Sequence, residues 1–182
     1  MNYFLLIFCL IFGSVQTQSH LIPWSESTKI QWKDFKGTPE ANPKLYAMTR
    51  SGIYTSSLVN GSKLTVVARS VFDKNTSWAR QGFDTLRILE HERLHFDITE
   101  LLARQFKKAV SDKGKFSRVT YKKDLDELNA LLSKSYVATQ DMYDGETSTF
   151  RNSQAEWKKK IAAELVALDG FKGPEVKVLV GN

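Results

Sequence analysis

Hydrophobic and polar positions along the chain follow two different periods, and the change falls near residue 80. In the first half, residues 63–72 alternate apolar and polar side chains, which predicts a β-strand. Asn60 and Gly61 stand just before this segment and predict a hairpin turn. Residues 30–35 alternate in the same way, and residues 46–56 are rich in Thr, Tyr and Ile. Three such segments with short connections predict an antiparallel sheet.

In the second half, apolar residues recur at intervals of three and four. This period predicts three α-helices, over residues 83–110, 122–140 and 154–168. Gly170 is well placed to end the third helix, and residues 176–180 read as a final strand. Strands followed by helices are typical of an α+β domain. We therefore expect one domain over residues 19–182, with an N-terminal antiparallel sheet, an active-site helix and two further helices.

The chain begins with an apolar, uncharged run at residues 3–12, which small and polar residues follow. The run is too short to span a bilayer comfortably and predicts a signal peptide over residues 1–18. The alternative is an uncleaved N-terminal anchor. We expect a secreted or periplasmic protein that keeps no membrane span after cleavage. Because the single cysteine, Cys9, lies in this segment, the mature chain would have neither disulfides nor a thiolate metal site.

Composition narrows the possible partners. Hydrophobic residues make up 42% of the chain and charged residues 25%, which suits a globular domain with a real core. The formal net charge of +6 fits either an ordinary basic surface or attraction to acidic polymers and an anionic envelope surface. No aromatic-basic motif accompanies this charge, so we expect no nucleic-acid partner.

One short motif carries the candidate chemistry. Residues 91–95 read H-E-x-x-H inside the first predicted helix. Because residues four apart lie on one helix face, His91 and His95 can bind the same ion, as in many zinc sites. Glu92 is rotated away from the first ligand, so it can take a proton from the attacking water and deliver it to the leaving amine. The motif predicts metal ligands His91 and His95, a catalytic Glu92 and a Zn²⁺ cofactor.

The rest of this helix indicates which way the histidines point. At about 100° per residue, His91 and His95 share a side with apolar residues such as Ile98 and Leu102. The opposite side carries five charged residues: Glu90, Arg93, Asp97, Glu100 and Arg104. We expect that side to be solvated, with ion pairs between residues four apart. Both imidazoles should then face the interior, where a metal would satisfy them; two core histidines are the alternative.

The third metal ligand is harder to assign. A catalytic zinc normally has three protein ligands, and the remaining histidine, His20, lies beside the expected cleavage site. A carboxylate is therefore expected, and residues 141–147, just before the third predicted helix, offer Glu146 as first choice and Asp144 as second. Acids at this position could also simply favour a helix start. Tyr143 could donate to the developing oxyanion or pack at the edge of the core.

Four blocks of the chain resemble the bacterial domain-of-unknown-function family 922, described as predicted secreted zinc-dependent proteases of the zincin type. The blocks are residues 30–39, 47–53, 89–104 (L-E-H-E-R-L-H-F-D-I-T-E-L-L-A-R) and 143–147, with Gln154 and Trp157 beyond the last. The resemblance implies a zincin-like fold, secretion and peptide hydrolysis, and it carries over to His91, Glu92 and His95. It fails at Thr149, where the family pattern has a histidine, and Glu146 could substitute for that residue.

These observations leave three functions open. The first is an active zinc peptidase that cuts peptide or protein substrates, which could belong to the cell envelope. The second is a non-catalytic zincin-like envelope or peptide-binding module that has lost its third metal ligand. A metal hydrolase acting on cell-wall amides would use the same residues. Glu92 favours the enzymes, because a protein that needs only the metal or the shape has no use for a base there.

Overall fold

The structure is a computed structural model that describes residues 20–27, 29–41, 45–149 and 153–181. The predicted signal peptide and the side chains of Ser148 and Thr149 lie outside the described part. Within that part, no helix combines the length and the apolar character needed to cross a membrane. Strands and three long helices build a mixed fold, so the predicted α+β class is confirmed.

The central strand of the main sheet is β4, the longest in the described chain. The described strands are β1 (Leu21–Pro23), β2 (Ala47–Met48), β3 (Ser51–Asn60), β4 (Lys63–Asp73), β5 (Trp78–Ala79), β6 (Lys115–Ser117) and β7 (Glu175–Gly181). Strand β3 pairs antiparallel with β4 from Lys63 to Phe72. Strands β1 and β7 share the other edge of β4, and β6 pairs parallel with β7. Strands β2 and β5 form a separate antiparallel pair.

The sheet predictions for β3, β4 and β7 are confirmed. The hairpin between β3 and β4 turns at Gly61, whose φ of 58° lies in the left-handed region that favours glycine. Residues 30–35 are not a strand, because only a single 3-10 turn forms there, at Trp32–Asp34. An Asp34 carboxylate oxygen accepts a hydrogen bond from the Gln31 N–H at 2.8 Å, which stabilises this turn instead of an extended segment.

Three long helices follow the main strands. They are α1 (Leu86–Lys113), α2 (Tyr121–Thr149) and α3 (Ser153–Ala167). Helix α1 begins after Thr85, whose hydroxyl accepts from the Ile88 N–H at 3.3 Å, and ends at Gly114, which has a φ of 71°. Helix α2 continues nine residues beyond its predicted end at residue 140. The acidic segment that the sequence places before the third helix is therefore itself helical.

The core lies between the sheet and α1. Leu64 and Val66 project from alternate positions of β4 and pack with Ile98, Leu102 and Phe106 of α1. All five side chains are almost completely buried. Since each contributes about 1.5–3 kcal/mol by leaving water, this contact fixes α1 on the sheet. It also fixes the turn of α1 that carries the H-E-x-x-H motif.

The prediction that the charged side of α1 is solvated is wrong. Glu100 and Arg104 are only 5% and 1% exposed, and their side chains form an ion pair of 2.9 Å. Asp97 bonds to the Trp24 indole N–H at 2.7 Å instead of to Arg93. The N-terminal segment and α3 cover this side of the helix, which a helical-wheel count of one isolated element does not include.

Candidate metal centre

Three ligand atoms from two helices converge at the second turn of α1. They are Nε2 of His91, Nε2 of His95 and Oδ1 of Asp144, which lies on α2. Oδ1 of Asp144 is 3.2 Å from His91 Nε2 and 2.9 Å from His95 Nε2. The two imidazole Nε2 atoms are 3.1 Å apart. This group of side chains could hold a metal ion.

The spacing of the three atoms fits a small cation. Four tetrahedral ligands at about 2.0–2.1 Å from zinc are separated from one another by about 3.3–3.4 Å. The separations of 2.9–3.2 Å are close to that value. Two imidazole nitrogens and one carboxylate oxygen are also a ligand set that catalytic zinc sites use. Both the geometry and the chemistry of the cluster therefore suit zinc.

Gln140 fixes the protonation pattern of His95. Its Nε2 donates to the His95 carbonyl at 3.1 Å and to the Thr99 hydroxyl at 3.3 Å. The amide oxygen of Gln140 is therefore the atom that faces His95 Nδ1, at 2.6 Å. Because an oxygen of this kind only accepts, His95 Nδ1 carries a hydrogen, which leaves Nε2 as the nitrogen that a metal ion or a second proton can occupy.

Thr147 does the same for His91. Its hydroxyl donates to the Tyr143 carbonyl at 2.7 Å, so the hydroxyl oxygen is left to accept from His91 Nδ1 at 3.4 Å. In this arrangement both Nε2 atoms are acceptors, and they face each other beside the carboxylate of Asp144. Three acceptors in contact repel one another unless a cation or a proton lies between them.

The charges around His95 favour its protonated form when no metal is bound. Burial on its own lowers the pKa of His95, but the hydrogen bond to Asp144 and the charges of Glu92 and Asp144 outweigh burial, so the pKa is raised. The proton and a metal ion would occupy the same nitrogen. Metal binding at this centre is therefore expected to release a proton.

Glu92 lies beside the cluster in a cleft of about 700 Å³ that His91 and His95 also line. Its side chain is 4% exposed, and its Oε2 has no hydrogen-bond partner among the described residues. A buried carboxylate oxygen without a partner costs stability, so packing does not explain this acid. The Thr49 hydroxyl donates to the Glu92 carbonyl at 3.1 Å and holds this turn against the segment that follows β2.

The structure does not bring Glu146 to the metal centre. Its Oε2 accepts from the Trp157 indole N–H at 2.7 Å, so it links α2 to α3. Because the segment is helical, Glu146 is rotated by about 200° from Asp144, two positions earlier. Asp144, the second choice from the sequence, takes the place in the cluster that was predicted first for Glu146.

Tyr143 lies behind the two histidines. Its ring stacks on His91 with centroids 4.7 Å apart and meets His95 edge-on at 4.8 Å. Its hydroxyl donates to the His91 carbonyl at 3.3 Å, and it is not among the residues that line the cleft. Burial raises the pKa of Tyr143 further above its usual range. This position is that of a packing residue rather than of the oxyanion donor that the sequence suggested.

Gln140 and Thr147 were not predicted from the sequence as site residues. Both lie on the face of α2 that also carries Asp144, at helical intervals of four and three. The spacing was visible in the sequence, but the predicted helix ended at residue 140. A helix extended through residue 149 would have grouped these polar residues on one side.

One edge of β2 adjoins the cleft. Residues 45–49 line the cleft. In the pair of β2 and β5, the Tyr46 carbonyl accepts from the Arg80 N–H at 2.8 Å, and Ala47 lies opposite Ala79. In an antiparallel pair with this pattern, the N–H and C=O of Ala47 point away from β5. No strand of the described chain pairs with that edge of β2. Ala47 and Met48 are only 7% and 8% exposed, so this edge forms part of the cleft wall rather than of the open surface.

Comparisons with models of known protein families, with curated proteins and with solved structures found no match to this chain. The resemblance to family 922 therefore stays an expectation from the sequence. Interpretation of the centre depends on its own residues and geometry.

Proposed function

We propose that the protein is a secreted or periplasmic zinc-dependent peptidase with a zincin-like fold. The observation that carries this proposal is the convergence of His91, His95 and Asp144 beside a carboxylate oxygen of Glu92 that has no hydrogen-bond partner in the described chain. A metal-holding cluster without an adjacent base would suit a structural site. The combination of an open cleft, three ligands and a buried acid is what a hydrolytic metal site needs.

Each residue of the centre has a distinct part in this proposal. Zinc, when bound, supplies a Lewis acid that polarises the scissile carbonyl and makes water more acidic. His91, His95 and Asp144 hold the cation, and Gln140 keeps one imidazole in the tautomer that can bind it. Glu92 takes a proton from the attacking water and returns it to the leaving amine.

The edge of β2 supports a peptide or protein as the substrate. A strand edge with unpaired backbone groups recognises the main chain of an extended peptide, whatever its side chains. Within the described chain, the Ala47 N–H and C=O have no strand partner and lie at the wall of the cleft. This feature favours peptide hydrolysis over hydrolysis of a cell-wall amide that lacks an extended peptide backbone.

The position of Asp144 also bears on the non-catalytic alternative. The main support for that alternative is the absence of the family's third histidine at Thr149. Asp144 supplies a carboxylate within 3.2 Å of both imidazoles, so a third ligand does not need to come from position 149. We therefore favour the active peptidase.

Metal analysis tests the ligand set. We expect about one zinc per chain in the purified protein, because three ligands and an open position define a catalytic site. Asp144→Asn should weaken zinc binding by at least tenfold, because an amide oxygen carries no charge. Glu146→Gln, two residues away, is the matched control and should retain zinc. Loss of zinc in Glu146→Gln and its retention in Asp144→Asn would reverse the assignment.

Peptide cleavage tests the catalytic proposal. With zinc bound, the protein should cut unstructured peptides, and Glu92→Gln should lower kcat by about 10²–10⁴-fold while zinc content stays unchanged. Zinc content is the control here, since it separates loss of the base from loss of the metal. Full peptide cleavage in Glu92→Gln would show that another group is the base, and a zinc-loaded wild type that cuts no peptide would contradict the function.

A further inference from the structure

Arg87 gives the cleft a positive charge on one side. Among the described residues that line the cleft, it is the one lysine or arginine, and the acids Glu92, Asp141 and Asp144 also line it. Arg87 lies four residues before His91, so the two side chains share a face of α1 one turn apart. A substrate bound at the metal centre would therefore pass within reach of the guanidinium.

The guanidinium of Arg87 has no protein partner within the described chain. Other arginines bind acids or carbonyls: Arg50 bonds to Glu40, Arg80 to the Leu45 carbonyl, Arg93 to Glu90, Arg104 to Glu100 and Arg118 to the Gly61 carbonyl. Neither a hydrogen bond nor an ion pair joins the Arg87 side chain to a described residue. Arg69 is similar in this respect, and both arginines are exposed, but Arg69 lies on β4 and does not line the cleft.

Helix stability does not explain an arginine at this position. Arg87 is the second residue of α1, where the helix dipole favours negative rather than positive side chains. The nearby surface is apolar, because Tyr46 lines the cleft and stacks on Phe83 with ring centroids 4.4 Å apart. These rings are 48% and 41% exposed. A cation that lines the same cleft as an exposed aromatic ring suits a substrate that combines a negative group with an apolar one.

We propose that Arg87 binds a carboxylate of the peptide substrate and so makes the enzyme selective for negatively charged peptides. The carboxylate belongs either to the C-terminus of the peptide or to an aspartate or glutamate side chain. A guanidinium binds both through two parallel hydrogen bonds. This inference rests on the proposed function for the identity of the substrate as a peptide.

The test measures binding without cleavage, on zinc-loaded Glu92→Gln protein. The probes are two pairs of hexapeptides of alanine and leucine. In the first pair, one peptide ends in a free carboxylate and the other in an amide. In the second pair, both peptides end in an amide; one carries glutamate at the third position and the other carries glutamine there. Calorimetry should show about tenfold to hundredfold tighter binding of the acid in at least one pair, and the pair that responds identifies the source of the carboxylate.

Variants in the same background assign the preference to Arg87. Adding Arg87→Gln should reduce the preference for the acidic peptide to less than about twofold. Arg87→Lys should keep part of this preference, because the charge remains. Lys159→Gln makes the same charge change on the exposed surface of α3 and should leave the preference intact. The proposal is overturned if neither pair shows a preference, or if the preference survives Arg87→Gln.

Cleavage by wild-type protein separates the two proposals. If the acid is preferred in an Arg87-dependent way but the wild type cuts none of the four peptides, the carboxylate site stands and the peptidase proposal fails. If the wild type cuts peptides without any dependence of binding on the carboxylate, the peptidase stands and the role of Arg87 fails.

Discussion

The two halves of α1 both bury polar groups, but they satisfy them in different ways. Toward the C-terminal end, Glu100 accepts from Arg104 at 2.9 Å and from the Ser70 hydroxyl. One turn further on, Lys107 Nζ donates to the Gly173 carbonyl at 2.6 Å. Each of these charged groups has at least one protein partner of the complementary kind, although Nη2 of Arg104 has no hydrogen-bond partner among the described residues. This half of the helix ties the sheet, α3 and the last loop together.

Toward the N-terminal end of α1, hydrogen-bond acceptors lie next to other acceptors. His91 Nε2, His95 Nε2 and Asp144 Oδ1 lie within 3.2 Å of one another, and Glu92 Oε2 has no partner in the described chain. A polar cluster that balances its own donors and acceptors stabilises a fold. A polar cluster with an excess of acceptors favours the binding of a cation. The comparison therefore separates a structural network from a candidate active site on a single helix.

The largest effect on this comparison is expected from Glu100→Gln. The substitution leaves the buried Arg104 guanidinium with only the exposed Glu26 carboxylate, 3.9 Å away, as an opposite charge, so the free energy of unfolding should fall by about 3–5 kcal/mol. Zinc affinity of the folded protein should not change, because Glu100 contacts none of the metal-centre residues through its side chain. Urea unfolding of the metal-free protein measures the first quantity, and metal titration measures the second.

Glu90→Gln is the control for this experiment. Glu90 pairs with Arg93 and Lys158 but is 30% exposed, so removing its charge should cost less than about 1 kcal/mol. If folded Glu100→Gln lost its zinc, the two halves of α1 would not be independent, and the division drawn between them would be wrong.

The part of the site that the sequence could predict is the part that depends on one helical turn. His91 and His95 are four residues apart, so the backbone geometry of α1 brings their rings together without help from the rest of the fold. The same spacing places Glu92 on the neighbouring strip. Local periodicity also gave β4, the Gly61 hairpin and the existence of three helices.

The rest depended on contacts between distant segments. Asp144 and Glu146 were equally acidic in the sequence, and the choice between them required knowing that α2 continues through Gly145. The burial of Glu100 and Arg104 could likewise not be predicted from the pattern of α1 alone. That pattern is amphipathic, and the charged side is buried only because α3 and the N-terminal segment cover it. Residues 30–35 alternate like a strand, but Asp34 closes a turn there instead.

A smaller effect is expected from Gln140→Leu, which removes the acceptor for His95 Nδ1–H. The imidazole would lose the hydrogen bond that fixes its tautomer, and zinc affinity should fall by about 10–100-fold. Competition with a chromophoric chelator measures this affinity. Gln140→Glu keeps an acceptor at the same position and should recover part of the loss, which a purely structural defect would not allow.

Gln105→Leu is the matched control, because Gln105 is an exposed residue of α1 outside the cleft. It should leave zinc affinity within about twofold of the wild type. An unchanged zinc affinity in Gln140→Leu would mean that the hydrogen bond to Nδ1 does not hold His95 for the metal.

The smallest effect is a pH dependence of the metal-free protein. Because the folded-state pKa of His95 is raised above 6.5, its protonated form stabilises the fold. That contribution to the free energy of unfolding is complete below pH 6.5 and is lost as the pH rises through the raised pKa. Its size is about 1.4 kcal/mol for each tenfold gain in the proton affinity of the folded state. The melting temperature of the metal-free protein should fall over this range relative to His95→Gln. With saturating zinc, the fall of the wild-type melting temperature that comes from this proton should disappear, since metal and proton compete for Nε2. A metal-free wild type with the same pH profile as His95→Gln would show that no proton occupies the cluster.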